Sequence, residues 1–454
     1  MSAGRLFGTD GIRGRAGQSP LTEPEVSAIG RAIAEVLGRE RPAADAPPRV
    51  LLGHDGRRSG PGLLDALARG FAAAGWTPES MGLTTTPGLA LCGRLEAYDA
   101  ALMISASHNP AHDNGLKVFQ SSGEKLPDSI EDAIQACYEG APAPIEAGVS
   151  LAAREELGQR YLDYLLEKAD GLSLGGMRVV LDCANGGGSA LGPELLRRLG
   201  AEVHAIAHDP DGDNINQGCG ATQLELLCET VRAQGAELGI ALDGDGDRCM
   251  LADERGRVVD GDGILTVCAL HARAEGSMQD PRIVATIMSN KGLHRALRSV
   301  GVSIVTTGVG DRRVVEALKS EGLGLGGEQS GHVVFGPDLF HIGDGLYTAL
   351  RVLEVVRSTG QPLSSLVSPY QTFPQILLNV EVREKPELSD LTRLSERARA
   401  IEEELGDDGR VLLRYSGTEP LARVMVEGPE QELIRGHAEE LAEILRQEIG
   451  VQPA

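Results

Sequence analysis

Three stretches of the chain repeat one alternation of apolar and polar positions. Residues 49–76 read RVLLGHDGRRSGPGLLDALARGFAAAGW, residues 178–203 read RVVLDCANGGGSALGPELLRRLGAEV, and residues 282–305 read RIVATIMSNKGLHRALRSVGVSIV. Each opens with Arg and a short apolar run of β type, crosses a polar loop containing Gly or Ser, and continues as an amphipathic helix. Each helix ends at a Gly that leads into another extended run. The pattern is β-α-β, and three such units predict three α/β domains of related architecture.

Beyond residue 370 the pattern changes. Residues 375–383 (QILLNVEVR), 410–415 (RVLLRY) and 421–428 (LARVMVEG) read as strands, with a polar helix at about 388–405 between the first two. Residues 430–447 close the chain as a helix with Leu433, Leu441 and Leu445 on one face. The order β-α-β-β-α predicts a small α+β domain. GAPAPIEAGVS (140–150) reads as a linker, and further boundaries fall near 260 and 370. The expected domains are therefore 1–150, 151–260, 261–370 and 371–454.

Composition narrows the function. The 454 residues are 41% hydrophobic but only 3% aromatic, so the cores must be built from Leu, Val, Ile and Ala. The formal net charge of -23 argues against a nucleic-acid partner, which needs a basic face. An anionic substrate would have to find its positive charge collected locally. The seven cysteines stand singly, with no C-x-x-C pair, which fits a reducing compartment. The N-terminus lacks an apolar signal region and no apolar run approaches membrane length, so the expectation is a soluble cytoplasmic protein without a membrane partner.

Four segments can carry chemistry. In MISASHNPAHDNGLK (103–117) an apolar strand delivers two serines, a His and Asn-Pro onto a loop, and Ser107 rather than Ser105 is the candidate nucleophile. The alternative is a turn whose serines bond the backbone. In LDGDGDR (242–248), Asp243, Asp245 and Asp247 alternate with glycines after an apolar strand and can converge on one hard cation. An EF-hand is disfavoured because Arg248 stands where its turn needs Gly, so Mg²⁺ is expected over Ca²⁺; a metal-free turn is the other reading. The same spacing at Asp209, Asp211 and Asp213 reads as a solvated turn. GEQSGH (327–332) offers a carboxylate, an amide, a hydroxyl and an imidazole, a set suited to sugar hydroxyls. RYSGTEPLAR (414–423) combines Arg414 and Arg423 with Ser416, Gly417 and Thr418, the makings of an anion nest for a phosphate monoester, or else a solvent-facing β-turn. There is no P-loop. A G-x-G-x-x-G match before GEQSGH follows a helix, and the single G-x-S-x-G at 171–175 lies between a helix and a strand, so neither has its required context.

Together and in this order, SASHNP, DGDGDR, GEQSGH and RYSGTEP resemble the phosphoserine, metal, sugar and phosphate loops of the α-D-phosphohexomutase superfamily, a likeness spanning nearly the whole chain. LFGTDGIRG near the N-terminus, NINQGCGAT (214–222), Gln329 and SGTEPLARVMVEG (416–428) resemble its phosphoglucosamine mutase branch. The resemblance implies three related α/β domains with mixed sheets and a smaller C-terminal α+β domain around a central active-site cleft. It implies a phosphate on Ser107, and one Mg²⁺ held by Asp243, Asp245, Asp247 and that phosphoserine. Glucosamine or glucose 1,6-bisphosphate would serve as intermediate and activator, and the product would feed UDP-N-acetylglucosamine synthesis. Lys117 and His332 are the implied acid/base groups, with His108 beside the nucleophile; Lys117 as a stabilising cation is the alternative. Arg13 and Arg248, and Arg312 with them, would supply charge near the donor phosphate. Glu328 and Ser330 would hold the sugar's 3- and 4-hydroxyls, and Arg414, Ser416, Gly417, Thr418 and Arg423 the distal phosphate. The implied partner is a small sugar phosphate, and related bacterial enzymes are often homodimers. A phosphomannomutase or phosphoglucomutase, a Mg²⁺-dependent sugar phosphatase and a non-catalytic sugar-phosphate sensor remain as alternatives.

Overall fold

A computed structural model describes residues 5–8, 10–41, 45–138, 149, 151–416 and 420–451. All three repeats fold as β-α-β: Arg49–His54, Gly60–Ala73 and Thr77–Leu83; Arg178–Asp182, Leu191–Arg198 and Glu202–Ile206; Arg282–Thr286, Lys291–Arg298 and Ser303–Thr307. The first sheet has six strands in the order Ile12–Arg15, Asp113–Gln120, Ala100–Ile104, Arg49–His54, Thr77–Leu83, Ala152–Ala153. Its centre is parallel, and Asp113–Gln120 and Ile12–Arg15 extend it antiparallel. The second sheet, of five strands, runs Val258–Val259, Cys249–Asp253, Leu238–Leu242, Arg178–Asp182, Glu202–Ile206 and is again parallel at the centre with an antiparallel extension. In the third, Leu325–Gly327 pairs parallel with Arg282–Thr286 and antiparallel with Val333–Phe335.

The three sheets share one device. In each, a strand of the parallel core turns back into an antiparallel partner, and the turn is a chemistry-bearing segment: 105–112 after Ala100–Ile104, 243–248 after Leu238–Leu242, and 328–332 after Leu325–Gly327. The strands feeding the first two turns are wholly buried, which fixes the ends of both turns. Helix packing behind the first sheet is equally tight. A Cβ at Gly70 would lie 2.1 Å from the Ser27 carbonyl oxygen, so only glycine lets helix Gly60–Ala73 approach helix Glu23–Glu40 this closely.

By its contacts the chain divides into residues 1–288 with 304–368, and residues 289–303 with 369–454. The second unit holds an antiparallel sheet, Gln375–Glu381, Leu421–Glu427 and Arg410–Tyr415, under helices Thr392–Leu405 and Gln431–Ile449. Val380, Val424, Val426, Ile401 and Leu394 form its core with one helix face. That face is Ile434, Ala438, Leu441 and Leu445; Leu433, expected on it, is 46% exposed. Steps of four, three and four residues keep the buried set on one stripe, whereas Leu433 lies about a quarter-turn off it. Apart from residue 149, the expected linker at 140–150 lies outside the described residues.

All seven cysteines are free thiols, six of them buried. Among the described residues, no helix is long and apolar enough to cross a membrane.

Candidate active site

Ser107 is 1% exposed and sits at φ 53°, a left-handed conformation rare for a residue with a Cβ. The two serines of the motif divide their work. Ser105 Oγ donates to Asp55 Oδ2 at 2.7 Å and accepts from the Ser107 N–H at 2.8 Å, so it is spent on shaping the turn. Ser107 Oγ is free to face the next loop and donates to Asp243 Oδ2 at 2.5 Å. His108 Nδ1 lies 3.3 Å from the same oxygen. Burial, with Arg248 and Arg13 adding to it, pulls His108 down to about 4, so this imidazole is neutral near pH 7.

Asp243, Asp245 and Asp247 converge with one oxygen of each within 4.8 Å of the others. Asp243 and Asp245 are fully buried and Asp247 is 7% exposed. Burial raises Asp243 well above the usual carboxylate range, and Asp247 and Asp245 push it further. Burial also works to raise Asp245, but the Lys117 charge and hydrogen bond and the Thr86 hydroxyl outweigh it and hold Asp245 below the usual range. Asp245 Oδ1 is buried with no hydrogen-bond partner among the described residues. Three crowded carboxylates, one strained toward protonation and one with an orphaned oxygen, are the donor set of a hard cation, and the cluster is a candidate metal site.

Lys117, 1% exposed, donates to Asp245 Oδ2 at 2.8 Å and Asp247 Oδ2 at 2.9 Å. Burial disfavours its charge, yet Asp10, Asp245 and Asp247 together raise it well above its ordinary value. Lys117 is thereby held in its charged form as the counter-ion of Asp245 and Asp247.

A cleft of about 770 Å³ brings Ser107, His108, Asp247, Arg13 and Arg248 together with Glu328, Ser330 and His332. Glu328 is oriented by the Gly310 N–H, which donates to its Oε1 at 3.0 Å, and Gln329 is tied by its side-chain amide to Asp260 Oδ2 at 3.1 Å. The loop's seat is made of glycines. A Cβ at Gly261 would meet the Glu328 carbonyl oxygen at 2.0 Å, and one at Gly343 would meet the His332 ring at 2.3 Å. His332 is 7% exposed, its Nε2 is 3.9 Å from Asp311 Oδ2, and its Nδ1 has no hydrogen-bond partner among the described residues.

Arg312 lines a neighbouring pocket that Asp247 and His332 also border. It pairs with Asp128 and Glu131 and donates to the Leu126 carbonyl, and it is not among the residues lining the cleft. Its position at the start of helix Asp311–Glu321 turns it toward the segment after Asp113–Gln120, which carries both acids. The neighbouring Asp311 lines the cleft instead and pairs with Lys125, which in turn pairs with Asp10.

In the second unit, Arg414 and Arg423 are direct cross-strand partners. Two like charges placed opposite each other in a sheet cost stability, an arrangement suited to a shared anion. Ser416 is buried, and its carbonyl accepts from Lys385 Nζ at 2.7 Å. Gly417 and Thr418 lie outside the described residues.

The chain matches the phosphoglucomutase/phosphomannomutase domain families in order: alpha/beta/alpha domain I over residues 4–143, domain II over 159–256, domain III over 260–373 and the C-terminal domain over 377–444. It is 46% identical over 452 residues to a phosphoglucosamine mutase of Symbiobacterium thermophilum, covering 98% of this chain and 99% of that one. The chain belongs to the phosphoglucosamine mutase family. A phosphoglucosamine mutase of Frankia alni is 46% identical over 449 residues, covering 97% of this chain and 98% of its own. Among solved structures, a phosphoglucomutase/phosphomannomutase family protein of Burkholderia thailandensis shares the fold with a TM-score of 0.79 at 23% identity, over 99% of this chain and 100% of that one. An Aspergillus fumigatus N-acetylphosphoglucosamine mutase, in complex with GlcNAc-6P and magnesium, does so with a TM-score of 0.64 at 18% identity, over 97% and 95%.

Within this phosphoglucosamine mutase family frame, several residues that the motifs did not single out are wired to the site. Asp10, Lys125 and Asp311 form the charged chain just described, and Thr86 donates to Asp245. Asp10 does fall inside the LFGTDGIRG segment, which was the only sign of it in the sequence.

Proposed function

We infer that this chain is an isomerase with phosphoglucosamine mutase activity, interconverting glucosamine 6-phosphate and glucosamine 1-phosphate. The observation that carries this is the meeting of Ser107, the aspartate cluster and the GEQSGH loop at one cleft, in a chain of that family. In the proposed course Ser107 carries a phosphate at rest. The P–Oγ bond breaks as a P–O1 bond forms to glucosamine 6-phosphate; His332 takes the O1 proton, and Ser107 leaves as an oxyanion that keeps its charge until it attacks the 6-phosphoryl group. The 1,6-bisphosphate so formed turns over; its 6-phosphoryl returns to Ser107, O6 is reprotonated from His332, and glucosamine 1-phosphate leaves. Phosphate esters exchange with phosphate esters, so no nucleoside triphosphate is consumed.

Asp243, Asp245, Asp247 and the phosphoserine would hold one Mg²⁺, which when bound offsets the negative charge of the transferring phosphoryl group. Lys117 balances Asp245 and Asp247, and Arg13 and Arg248 add positive charge at the cleft wall. Glu328 and Ser330 would orient the sugar through its hydroxyls, and Arg414, Ser416, Gly417, Thr418 and Arg423 would hold a phosphate monoester. This local collection of cations is how a chain of net charge -23 handles an anionic substrate.

The test is turnover with Mg²⁺ and a trace of sugar bisphosphate on glucosamine, glucose and mannose 6-phosphates in parallel. A kcat/KM for glucosamine at least about tenfold above the others, about 1.4 kcal/mol of transition-state preference, is expected. Comparable values would make the enzyme a general phosphohexomutase, and release of inorganic phosphate without isomer would make it a phosphatase.

A further inference from the structure

The backbone of the nucleophile turn is gripped by two side chains that no step of the proposed reaction uses. Arg57 is fully buried. Its guanidinium has five N–H donors, and all are spent: Nε on Asp55 Oδ2 at 2.8 Å, Nη1 on the Pro110 and Asp113 carbonyls, and Nη2 on the Ser107 carbonyl at 2.8 Å and the Asn109 carbonyl at 2.9 Å. Asn216, 6% exposed, reaches the same two carbonyls from the second sheet's segment, its Nδ2 donating to Ser107 O at 2.9 Å and to Asn109 O at 3.2 Å. Asn216 belongs to NINQGCGAT, the one family-like motif that the reaction leaves without a task.

The grip falls where the backbone needs it. A left-handed conformation is unfavourable for a residue that carries a Cβ, and Ser107 adopts one. Released, the turn would relax and carry Oγ away from Asp243. Burying a guanidinium is itself costly and adds little to stability, so its retention here calls for another benefit. The metal loop closes on the same spot: a Cβ at Gly244 would lie 2.7 Å from the Ser107 carbonyl oxygen and 2.9 Å from Asn216 Nδ2.

We propose that Arg57 and Asn216 are positioning residues that clamp the Ser107 and Asn109 carbonyls, hold the turn in its left-handed form, and so aim Ser107 Oγ at the aspartate cluster. The clamp links two domains, because Arg57 and Ser107 fall in the segment matched as domain I and Asn216 in that matched as domain II. The assignment rests on the mutase reading.

Arg57→Lys keeps a buried charge beside Asp55 but lacks the fork that reaches four carbonyls; Asn216→Ala leaves every Arg57 bond in place. Misplacing a reacting group by about 1 Å costs about 100-fold, so Arg57→Lys is expected to lower kcat about 100-fold and Asn216→Ala about tenfold, with KM within about threefold in both. Because both act on the same carbonyls, the double variant should lose clearly less than the product of the two single losses. The ³¹P resonance of the phosphorylated protein should also shift or broaden in each variant, a readout that needs no turnover. The proposal is overturned if the wild type turns over while both variants keep its kcat and its ³¹P resonance, or if the losses lie in KM. Should Arg57→Lys not fold, Asn216→Ala decides alone. A wild type without mutase turnover would sink the functional reading instead, and the ³¹P comparison would still judge the clamp.

Discussion

Ser107 owes its setting to contacts on both sides of it. Its Oγ donates to Asp243 while its carbonyl is tied down behind, so the hydroxyl has one direction in which to react. Ser107→Ala should reduce turnover by about a thousandfold or more, since residual catalysis without a nucleophile is small, while calorimetric affinity for the sugar phosphate stays within about threefold. Wild-type rates in that variant would remove Ser107 from the mechanism. A second residue-scale expectation concerns Gly343, whose missing side chain makes room for the His332 ring. Gly343→Ala forces that ring to move, and kcat should drop about 10–100-fold with KM little changed; unaltered kcat would show that His332 needs no fixed seat. Ser107, the three aspartates and His332 were legible in the sequence because reactive side chains stood together in short motifs. Arg57 and Asn216 were not, since their meaning lies in carbonyls of residues 50 and more than 100 positions away. The partners of Arg312 were not legible for the same reason: a lone arginine takes them from what its helix packs against, here Asp128 and Glu131.

At the scale of elements, each α/β sheet places its functional turn where a parallel core strand reverses into an antiparallel neighbour. Apolar periodicity revealed the β-α-β repeats almost to the residue, because buried strands and one-sided helices leave distinct patterns. It did not reveal the short antiparallel strands of the second and third sheets, whose two to five residues carry too few positions for a period. The reversal in the second sheet makes a further prediction. Burial and its neighbours raise Asp243 in the folded protein above its unfolded value. Such a group favours the folded state at low pH, and that contribution is lost as pH rises through the folded value. Near neutral pH the metal-free Asp243 carboxyl is thus a cost to stability. Asp243→Asn should therefore raise the Tm of the EDTA-treated protein, on the order of 2 °C, while abolishing turnover. Mg²⁺ should raise the wild-type Tm and leave that of the variant nearly unchanged. A lower metal-free Tm for Asp243→Asn would mean that its hydrogen bonds to Ser107 and the Arg248 N–H outweigh the repulsion.

For the whole molecule, the division into two units does not follow chain order. Residues 289–303, in the middle of the third β-α-β repeat, cluster with 369–454, and Asn290 is the hub of that cluster. Its Oδ1 accepts the Phe373 N–H at 2.8 Å and the Gly292 N–H at 2.9 Å, and its Nδ2 donates to the Phe373 carbonyl at 3.0 Å. Beside it Glu427 Oε1 accepts the Lys291 N–H, and Arg410 donates to the Ser289 carbonyl at 2.9 Å. One buried side chain thus caps helix Lys291–Arg298 and pins the strand entry at Phe373. Asn290→Ala removes the cap and strands a buried N–H and C=O, at a cost of about 2–3 kcal/mol. The loss should be confined to the second unit. Hydrogen exchange should quicken in Gln375–Glu381 and Leu421–Glu427 while Arg49–His54 and Ala100–Ile104 keep their protection. Uniform acceleration across both units would show instead that they unfold as one, and that residues 289–303 tie the whole chain together and not the second unit alone.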